Sequence, residues 1–490
     1  MTEGSAQPRD ARIPCPLRAA ALAAPGSAAI TGPGGETSYG ELDRRVSAAA
    51  GRLREAGWAP GTRVALYLPG DGRCVVLLLG LVRAGCVAVP LSTRVPPQGA
   101  AELVRRAGCG ALISTDDRLL AAVEDGVLRL SPGELDAGPA AGDGPGSTPA
   151  DRPATIVFTS GSSGDPKAAL HTFGNHYYSA RGSNGNIALA PGDRWFLPLP
   201  LYHVGGLGVL FRCLLAGATV VLPDPQSPVG PEVSRHAATH ASLVSTQLLR
   251  LLQEERLPES LRAVLLGGSA MSPALLDEAV RRGLPVHTSY GLTEMASQVT
   301  TTPPGSPQRA LRTSGKVLPH REVSVSEEGE VLVRGETLFA GYVEGEELRR
   351  PLDRKGWFGT GDLGDLDGEG YLTVRGRRGN MFVSGGENVQ PEEIEAALLR
   401  LPGVEEAVVV PVPDEVFGAR PVAFVRADDR ESPGHLAEGL ATVLPRFKIP
   451  VRFHAWPGDM PEGMKADRRL FSGLARRLHG GSGRAGDAPG

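Results

Sequence analysis

Glycines, hydroxyl side chains and a lysine are concentrated in the string FTSGSSGDPK, which runs from Phe158 to Lys167. Two glycines separated by two serines, directly after a short apolar strand, allow a tight loop whose backbone N–H groups point inward. Such a loop suits a polyphosphate, and Lys167 adds a mobile positive charge at its β/γ end. GSSG alone also fits a Gly-Ser hairpin turn, and the string is not a Walker A loop because the GK[ST] ending is absent. The candidate phosphate ligands are Thr159, Ser160, Gly161, Ser162, Ser163, Gly164 and Lys167.

Two later strings, LLGGSA and TSYGLTEM, carry residue types that suit a flat ring, a phosphate and a metal ion. The first ends a predicted strand on Gly267 and Gly268, where a planar ligand can lie against bare backbone, although a Gly-Gly turn is an alternative. In the second, Tyr290 offers a π-face for adenine, and Thr293 a hydroxyl group near the α-phosphate. Glu294 offers a hard oxygen ligand for Mg²⁺. A single glutamate in a polar loop is otherwise usually solvated surface.

Charged residues nearer the carboxyl terminus add two further candidates. Asp362, in GWFGTGDL, can accept two hydrogen bonds from a ribose diol, and the same residue type in a Gly-rich turn also forms Asx turns. Lys465, in MPEGMKADR, offers an ammonium group. Taken alone, a lysine near a chain end is usually solvated.

Alternating strand and helix patterns through the first three hundred residues predict the layered α/β architecture that would position these groups. Ser38 and Glu41 fit a capping box at the start of a helix that Gly57 ends. The apolar run from Cys74 to Val82 predicts a buried helix. Residues 131–153, rich in Gly, Pro and Ala, predict a surface connection.

The chain changes texture towards its end. Short strands with turns over about 311–375 predict a small β-rich subdomain. A compact α/β segment follows, with a helix starting at Pro391 and a strand from Ala407 to Val410. The last eleven residues predict disorder, because they are Gly-rich and lack apolar side chains that could be buried.

Length and composition limit the function classes. A chain of 490 residues exceeds the size of one hydrophobic core, so we expect at least two domains. Its formal net charge of −4 provides no basic field for nucleic acid. The longest apolar run is far shorter than a membrane span. Five scattered cysteines indicate a reducing compartment, and we expect a cytoplasmic protein.

The string from Phe158 to Lys167 resembles the phosphate loop of the adenylate-forming superfamily, which includes acyl- and aryl-coenzyme A ligases, luciferases and peptide-synthetase adenylation domains. Further motifs follow in the expected order from about residue 15 to 475. The resemblance implies an enzyme that uses ATP, Mg²⁺ and coenzyme A to convert a carboxylic acid into an acyl-adenylate and then a thioester. It also implies a homodimer as one assembly.

The resemblance assigns roles around the nucleotide. It places Glu294 at magnesium and Asp362 on both ribose hydroxyl groups, with Arg377 beside Asp362. The adenine pocket and the rest of the ATP site are implied for Gly267, Gly268, Ser269, Tyr290 and Gly291, and catalysis for Thr293, Glu294, His203 and Lys465.

The resemblance also implies two moving parts. Gly379 stands at the hinge position, where relatives carry a polar or charged residue, and Met464 stands where glycine usually precedes the catalytic lysine. The pantetheine tunnel is implied for Ser384, Gly385, Gly386 and Glu387. The implied domains are an N-terminal adenylation domain over 1–376, a mobile C-terminal domain over 377–476 and a disordered tail over 477–490.

Within the superfamily, the stretch LPLPLYHVGGLGVLFRC (197–213) resembles 2-succinylbenzoate–coenzyme A ligases of menaquinone biosynthesis. That acid is an aromatic keto-diacid, so its pocket needs polar groups for a second carboxylate. His203 could hold that carboxylate or gate the pocket, and a histidine bonded to backbone is the alternative. Relatives often carry serine near Gly205. The candidate substrate residues are His203, Gly205, Ser289 and Leu292.

Three alternatives remain open at this point. The first is a ligase for another aryl or medium-chain acid, with the same chemistry in a different pocket. The second is an enzyme that loads a carrier protein. The absence of a carrier-like segment after residue 476 disfavours only the form in which the carrier is fused to this chain. The third is a non-catalytic binding protein, which the unusual Gly-Met-Lys string favours and the retention of Lys167, Glu294, Asp362 and Arg377 disfavours.

Overall fold

The structure, a computed structural model, describes residues 11–136, 146–159, 166–268, 271–384, 387–414, 417–427, 432–441, 444–458 and 467–479. The predicted α/β class is confirmed, because helices and sheets alternate along the described chain. The predicted tail from residue 480 onward lies outside these ranges. So do the candidate residues Ser160, Gly161, Ser162, Ser163, Gly164, Ser269, Gly385, Gly386 and Lys465.

The first large sheet carries the candidate phosphate loop. In the described chain its eight strands lie in the order Glu347–Arg349, Gly341–Glu344, Lys167–Thr172, Pro153–Thr159, Val87–Pro90, Arg63–Tyr67, Ala111–Ser114 and Leu128–Leu130. The strands ending at Thr159 and starting at Lys167 pair antiparallel, with these two residues opposite each other. The candidate loop therefore connects two paired antiparallel strands. A hairpin connection and a phosphate loop are thus compatible interpretations of the same residues.

Residues of the strings LLGGSA and TSYGLTEM, the candidate nucleotide-binding segments, lie at the carboxyl ends of strands in the second large sheet. Its nine strands, counted over the described residues, lie in the order Lys316–Val317, Ser297–Thr301, Val286–Leu292, Ala263–Leu266, His240–Leu243, Arg194–Phe196, Thr219–Val221, Ala28–Gly32 and Gly35–Ser38. Its central strands are parallel. Ligands of open α/β sheets bind outside the carboxyl ends of parallel strands, which is where Gly267 and Tyr290 lie.

Helices pack on and between these sheets. Ser38 accepts a hydrogen bond from the backbone N–H of Glu41 at 3.2 Å, as its predicted capping role requires. The predicted buried helix extends over Gly72–Ala84. One apolar cluster contains Leu77 of this helix together with Leu66 of the first sheet and Val220 of the second. The N-terminal helices are Pro16–Ala23, Tyr39–Glu55, Gly72–Ala84, Pro97–Arg106, Asp117–Ala122, Gly133–Asp136, Phe173–Asn186, Val204–Ala216, Val229–Arg235, Ser245–Gln253 and Pro273–Arg281, with 3₁₀ turns at Thr293–Met295 and Gln308–Arg312.

The region expected to form one β-rich subdomain is divided among three sheets. A four-stranded antiparallel sheet contains Arg321–Val325, Glu330–Gly335, Phe358–Leu366 and Leu372–Arg377. The strands Gly341–Glu344 and Glu347–Arg349 instead extend the first large sheet, and Lys316–Val317 extends the second. Pairing with the first sheet buries Tyr342 and Val343, at 8% and 4% exposure.

The predicted surface connection over 131–153 contains short regular elements. Besides the helix Gly133–Asp136, the strand Ser147–Pro149 pairs with Arg12–Pro14 near the start of the chain. Ile13 and Thr148, which oppose each other in this pair, are both buried. Pairing with a distant strand is a tertiary contact that the local composition of the connection does not show.

The C-terminal segment has its own apolar core, which includes Ile394, Val409 and Leu440. The helix Pro391–Leu398 starts at the predicted residue, and the predicted strand at Ala407–Val410 lies within Val404–Asp414. The helix Arg468–His479 includes residues 477–479, which the sequence analysis assigned to the tail. The other elements are the strands Phe382–Ser384, Glu387–Val389, Gly418–Ala427 and Arg452–Ala455, the helix Pro433–Ala441, and 3₁₀ turns at Arg378–Asn380 and Arg446–Lys448.

A search of the described residues for helices long and apolar enough to cross a membrane finds none.

Leu77→Ala tests whether the core shared by the two large sheets limits stability. Leu77 is 0% exposed, so its truncation should lower the free energy of unfolding by about 2–5 kcal/mol. Leu22→Ala, at a side chain that is 71% exposed, should change it by less than about 0.5 kcal/mol. Urea unfolding followed by circular dichroism measures both, and equal shifts would contradict the proposed importance of this core.

Candidate active site

Tyr342, which is not among the predicted site residues, contacts both Lys167 and Glu294. These two residues are the predicted phosphate and metal ligands. The Tyr342 hydroxyl group donates a hydrogen bond to Glu294 Oε1 at 2.5 Å. The ammonium group of Lys167 lies 5.2 Å from the centroid of the Tyr342 ring. Lys167 is exposed at the end of its strand, whereas Glu294 is 9% exposed. A mobile cation and a held carboxylate thus share one region, as binding of a magnesium polyphosphate requires.

The chemistry of Glu294 fits magnesium. Its carboxylate offers hard oxygen atoms, and the Tyr342 hydroxyl group occupies one acceptor position of one oxygen. No group of three or more His, Cys, Asp and Glu side chains suited to a metal ion occurs in the part of the chain that the structure describes. Magnesium is commonly held by one or two carboxylates together with substrate phosphates and water. A single carboxylate next to a phosphate loop is consistent with that mode.

Tyr290, Asp362 and Arg377 form a second cluster. The Tyr290 hydroxyl group donates to Asp362 Oδ2 at 2.6 Å, and Arg377 Nε lies 3.5 Å from Asp362 Oδ1. Asp362 and Arg377 are direct partners across neighbouring antiparallel strands, so sheet register holds this pair. Burial, and secondarily the Asp362 carboxylate, raise the pKa of Tyr290 well above its usual value, so the phenol stays a donor. The two oxygens of Asp362 retain acceptor capacity for a diol.

Close backbone approach explains the glycines between these clusters. A β-carbon on Gly267 would lie 2.7 Å from Ser289 Oγ, and one on Gly291 would lie 2.3 Å from the carbonyl oxygen of Ser297. Gly268 has a φ of +82°, which favours glycine. Ser289 donates its hydroxyl hydrogen to the carbonyl of Leu266 at 2.8 Å, so it joins the two strand ends. Ser289 at Gly267 and the backbone of the neighbouring strand at Gly291 thus occupy the space that a β-carbon would need.

His171 connects the strand of Lys167 to the turn that carries Thr293 and Glu294. Its Nε2 lies 2.7 Å from the carbonyl oxygen of Thr293. Because a carbonyl can only accept, Nε2 carries the proton. Burial lowers the pKa of His171 to about 4, although the hydrogen bond to Thr293 opposes this effect. The imidazole is therefore neutral at pH 7 and acts as a fixed donor.

Of the predicted substrate residues, His203 and Gly205 lie at the start of the helix Val204–Ala216, whereas Ser289 and Leu292 lie in the strand Val286–Leu292. His203 is exposed at the residue before this helix, and its ring packs against Tyr202 with centroids 4.7 Å apart. A β-carbon on Gly205 would lie 3.1 Å from a methyl group of Leu199. Leu292 is half-buried at the end of its strand. The exposure of His203 disfavours the alternative of a core histidine.

Arg212, further along the same helix, is a buried cation that the sequence analysis quoted but did not assign. It is 1% exposed, and burial lowers its pKa to about 10. Its guanidinium group donates to Ser297 Oγ at 3.2 Å and stacks 5.3 Å from the Trp195 ring centroid. Among the described residues it has no carboxylate partner. A β-carbon on Gly208 would lie 3.2 Å from its Nη2, so a larger residue at this position would crowd the guanidinium group.

The predicted hinge is bounded by contacts to different parts of the chain. Arg378 forms ion pairs with Glu328 at 2.7 Å and Glu330 at 3.2 Å, which belong to the N-terminal part. Asn380 donates to Glu392 in the C-terminal helix Pro391–Leu398. Gly379 lies between these two anchors.

Part of the predicted coenzyme A loop is described. Ser384 is 1% exposed, and its Oγ has no hydrogen-bond partner in the described structure. Its backbone pairs with that of Glu387, so Gly385 and Gly386 connect two short antiparallel strands. An orphaned buried hydroxyl group next to this turn could bond an entering polar ligand.

The model of the AMP-binding enzyme family matches residues 17–343, and that of the AMP-binding enzyme C-terminal domain matches residues 393–462. The chain is 40% identical over 315 residues to a 2-succinylbenzoate–CoA ligase of Bacillus subtilis, covering 62% of this chain and 65% of that relative. The match thus spans just under two thirds of that relative's length.

Two solved structures extend the similarity over nearly the whole chain. An o-succinylbenzoate CoA synthetase from Bacillus subtilis, in complex with its acyl-adenylate intermediate, has a TM-score of 0.83 at 31% identity and covers 92% of this chain and 96% of its own. The same enzyme in complex with ATP and magnesium has a TM-score of 0.82 at 32% identity, covering 91% and 96%. The resemblance inferred from the motifs is confirmed.

His171→Gln tests the buried imidazole, because glutamine can keep a donor towards Thr293 and cannot titrate. The folded pKa of about 4 lies below the ordinary value of 6.5, so the unfolded state binds the proton more readily. The contribution of His171 is therefore fully present above pH 6.5 and falls as the pH falls towards 4, by about 3 kcal/mol at most. The stability of the variant should decrease less steeply over that window.

Thermal unfolding at pH 7 and pH 5 measures the difference, with His435→Gln as the control because His435 is exposed. Parallel stability curves for the wild type and His171→Gln would show that His171 is not the titrating group.

Proposed function

The chain belongs to the AMP-binding enzyme family, and from that membership we propose that it is an AMP-forming acid–coenzyme A ligase whose acid is 2-succinylbenzoate. The product, 2-succinylbenzoyl-coenzyme A, assigns it to menaquinone biosynthesis. Relatives of that name and the bound acyl-adenylate of the Bacillus subtilis structure support the choice of acid. All five cysteines lie in the described residues as free thiols, which supports a reducing cytoplasmic location. A homodimer is the proposed assembly.

One observation carries the proposal. Tyr342 contacts Lys167 and Glu294, Tyr290 contacts Asp362, and Tyr290 packs against the apolar cluster that contains Tyr342. The cation suits the β/γ-phosphates, the carboxylate suits magnesium, and the aspartate suits the ribose. This distribution matches the three parts of Mg·ATP, and a non-catalytic acyl-binding protein would not require it.

In the first half-reaction the acid carboxylate attacks the α-phosphorus of ATP, an acyl–phosphate bond forms and pyrophosphate leaves. The Ser-Gly loop and Lys167 hold the departing pyrophosphate, and Thr293 lies beside the α-phosphate. Lys465 offsets the negative charge of the two reacting anions. Bound magnesium supplies further charge neutralisation, and Glu294 is the residue that would hold it.

In the second half-reaction the C-terminal domain rotates about Gly379 and withdraws Lys465. The coenzyme A sulfur then attacks the acyl carbon, the thiol proton is released, and AMP departs with the electrons of the broken acyl–phosphate bond. Ser384, Gly385, Gly386 and Glu387 line the route of the pantetheine arm. The anchors at Arg378 and Asn380 support a pivot between them.

Arg212 supports a dianionic acid. A buried guanidinium group without a carboxylate partner in the described structure is costly unless a ligand supplies the missing charge. Ser297, its hydrogen-bond partner, contacts Gly291 in the strand end that carries Tyr290. We assign Arg212, together with His203 at the start of the helix, to the second carboxylate of the acid.

An AMP-release assay with ATP, Mg²⁺ and coenzyme A against 2-succinylbenzoate, benzoate, cinnamate and a medium-chain fatty acid tests the choice of acid. We expect turnover on 2-succinylbenzoate. Arg212→Met should lower kcat/KM for 2-succinylbenzoate on the order of 10²-fold, since one partner of a buried charge pair is lost. Any residual turnover of a monocarboxylate should be unchanged.

Arg152→Met serves as the control, because Arg152 is a partly buried arginine that donates to a backbone carbonyl away from this site. Turnover confined to another acid would keep the chemistry and reject 2-succinylbenzoate. ATP binding without turnover of any acid would favour the non-catalytic alternative.

Lys465→Ala tests the division of labour between the two half-reactions. ATP–pyrophosphate exchange should fall on the order of 10²–10³-fold, because one charge-stabilising group is removed. Thioester formation from preformed acyl-adenylate should survive. Lys448→Ala, at a C-terminal lysine paired with Glu393, should leave both rates near wild type. Near wild-type exchange in Lys465→Ala would mean that another residue performs this role.

A further inference from the structure

Tyr342 lies at the junction of three segments that the proposed function uses. It belongs to the strand Gly341–Glu344 and is the direct partner of Ala169, two residues after Lys167. Its side chain is 8% exposed. Its ring packs edge-on against Phe339, with centroids 4.8 Å apart. The backbone N–H of Phe339 in turn donates to the carbonyl of Glu294 at 2.8 Å.

The two ends of Tyr342 serve different charges. The hydroxyl group donates to Glu294 Oε1, and the ring contacts the ammonium group of Lys167. Because the hydroxyl group donates to a carboxylate, which can only accept, the phenol is protonated and adds no negative charge. Within the described residues Lys167 and Glu294 form no ion pair. The two opposite charges are thus connected through a neutral side chain.

That arrangement matters because a direct Lys167–Glu294 ion pair would occupy both groups. A neutral donor orients the carboxylate and leaves its charge available to a cation, as outer partners of metal ligands do. The ring face attracts an ammonium group without neutralising it. Both charges therefore remain available to Mg·ATP.

We propose that Tyr342 is a positioning residue that aims Glu294 at magnesium through its hydroxyl group and Lys167 at the polyphosphate through its ring. This inference rests on the proposed function. The two contacts predict separable effects, because phenylalanine keeps the ring and removes only the donor, whereas leucine removes both.

Isothermal titration calorimetry of the full chain with ATP, at several free Mg²⁺ concentrations and without Mg²⁺, tests the inference independently of turnover. In Tyr342→Phe, the Mg²⁺ concentration that half-saturates the gain in ATP affinity should rise on the order of 10–100-fold, and metal-free ATP affinity should be unchanged. In Tyr342→Leu, metal-free ATP affinity should also fall, by roughly 3–10-fold. Combining Tyr342→Phe with Glu294→Gln should add no further loss of Mg²⁺ dependence beyond Glu294→Gln alone.

Tyr371 provides a matched control, because Lys316 lies 4.5 Å from its ring centroid in a similar contact elsewhere. Tyr371→Phe and Tyr371→Leu should leave both affinities unchanged. Wild-type Mg²⁺ dependence in Tyr342→Phe, or additive losses in the double variant, would overturn the inference. The proposed function would stand in that case if the wild type still binds ATP and turns over acid. Absence of ATP binding by the wild type would overturn both the proposed function and this inference.

Discussion

The antiparallel pairing of Pro153–Thr159, Lys167–Thr172 and Gly341–Glu344 is the constraint on which the candidate site depends. It places the phosphate loop at the end of a hairpin and sets Tyr342 beside the strand that starts with Lys167. From the other large sheet, the turn Thr293–Met295 reaches the same place, held by His171 and Phe339. Groups far apart in sequence are thereby held close together by backbone that is fixed through strand-to-strand hydrogen bonds. Such backbone keeps side chains within the narrow range of positions that catalysis requires.

Neutral donors make that arrangement electrostatically useful. Glu294 accepts from the buried Tyr342, and Asp362 accepts from the half-buried Tyr290. Burial and the neighbouring carboxylate raise both phenol pKa values, so the carboxylates are oriented without being neutralised. His171 is neutral for the related reason that burial lowers its pKa. The charge in these clusters is therefore carried by the two carboxylates and by their cationic neighbours Lys167 and Arg377.

Sequence motifs predicted the parts of the site whose signals are local. The capping role of Ser38 and the buried helix beginning near Cys74 depend on neighbouring residues, and the structure confirms both. The Gly-Ser string between Thr159 and Pro166 lies outside the described residues. The roles of Tyr342, His171 and Arg212 arise from partners that are 48, 122 and 85 residues away and carry no short-range signal. The strand Gly341–Glu344 lies within the region expected to form one β-rich subdomain but pairs with the first large sheet, since a strand pattern indicates extended backbone and does not specify its partner.

The candidate hinge residue, Gly379, has no side chain, so the direction of the proposed rotation depends on the residues around it. Glycine at position 379 contributes backbone freedom and no contact, so any directionality must come from its neighbours. Arg378 is paired with acidic residues of the small N-terminal sheet, and Asn380 is bonded to Glu392. Glu392 also accepts from Arg468, the first residue of the last helix and three positions beyond Lys465. The last helix is thus connected through one carboxylate to the residue next to the candidate pivot, so the proposed rotation about Gly379 would carry this helix together with Asn380.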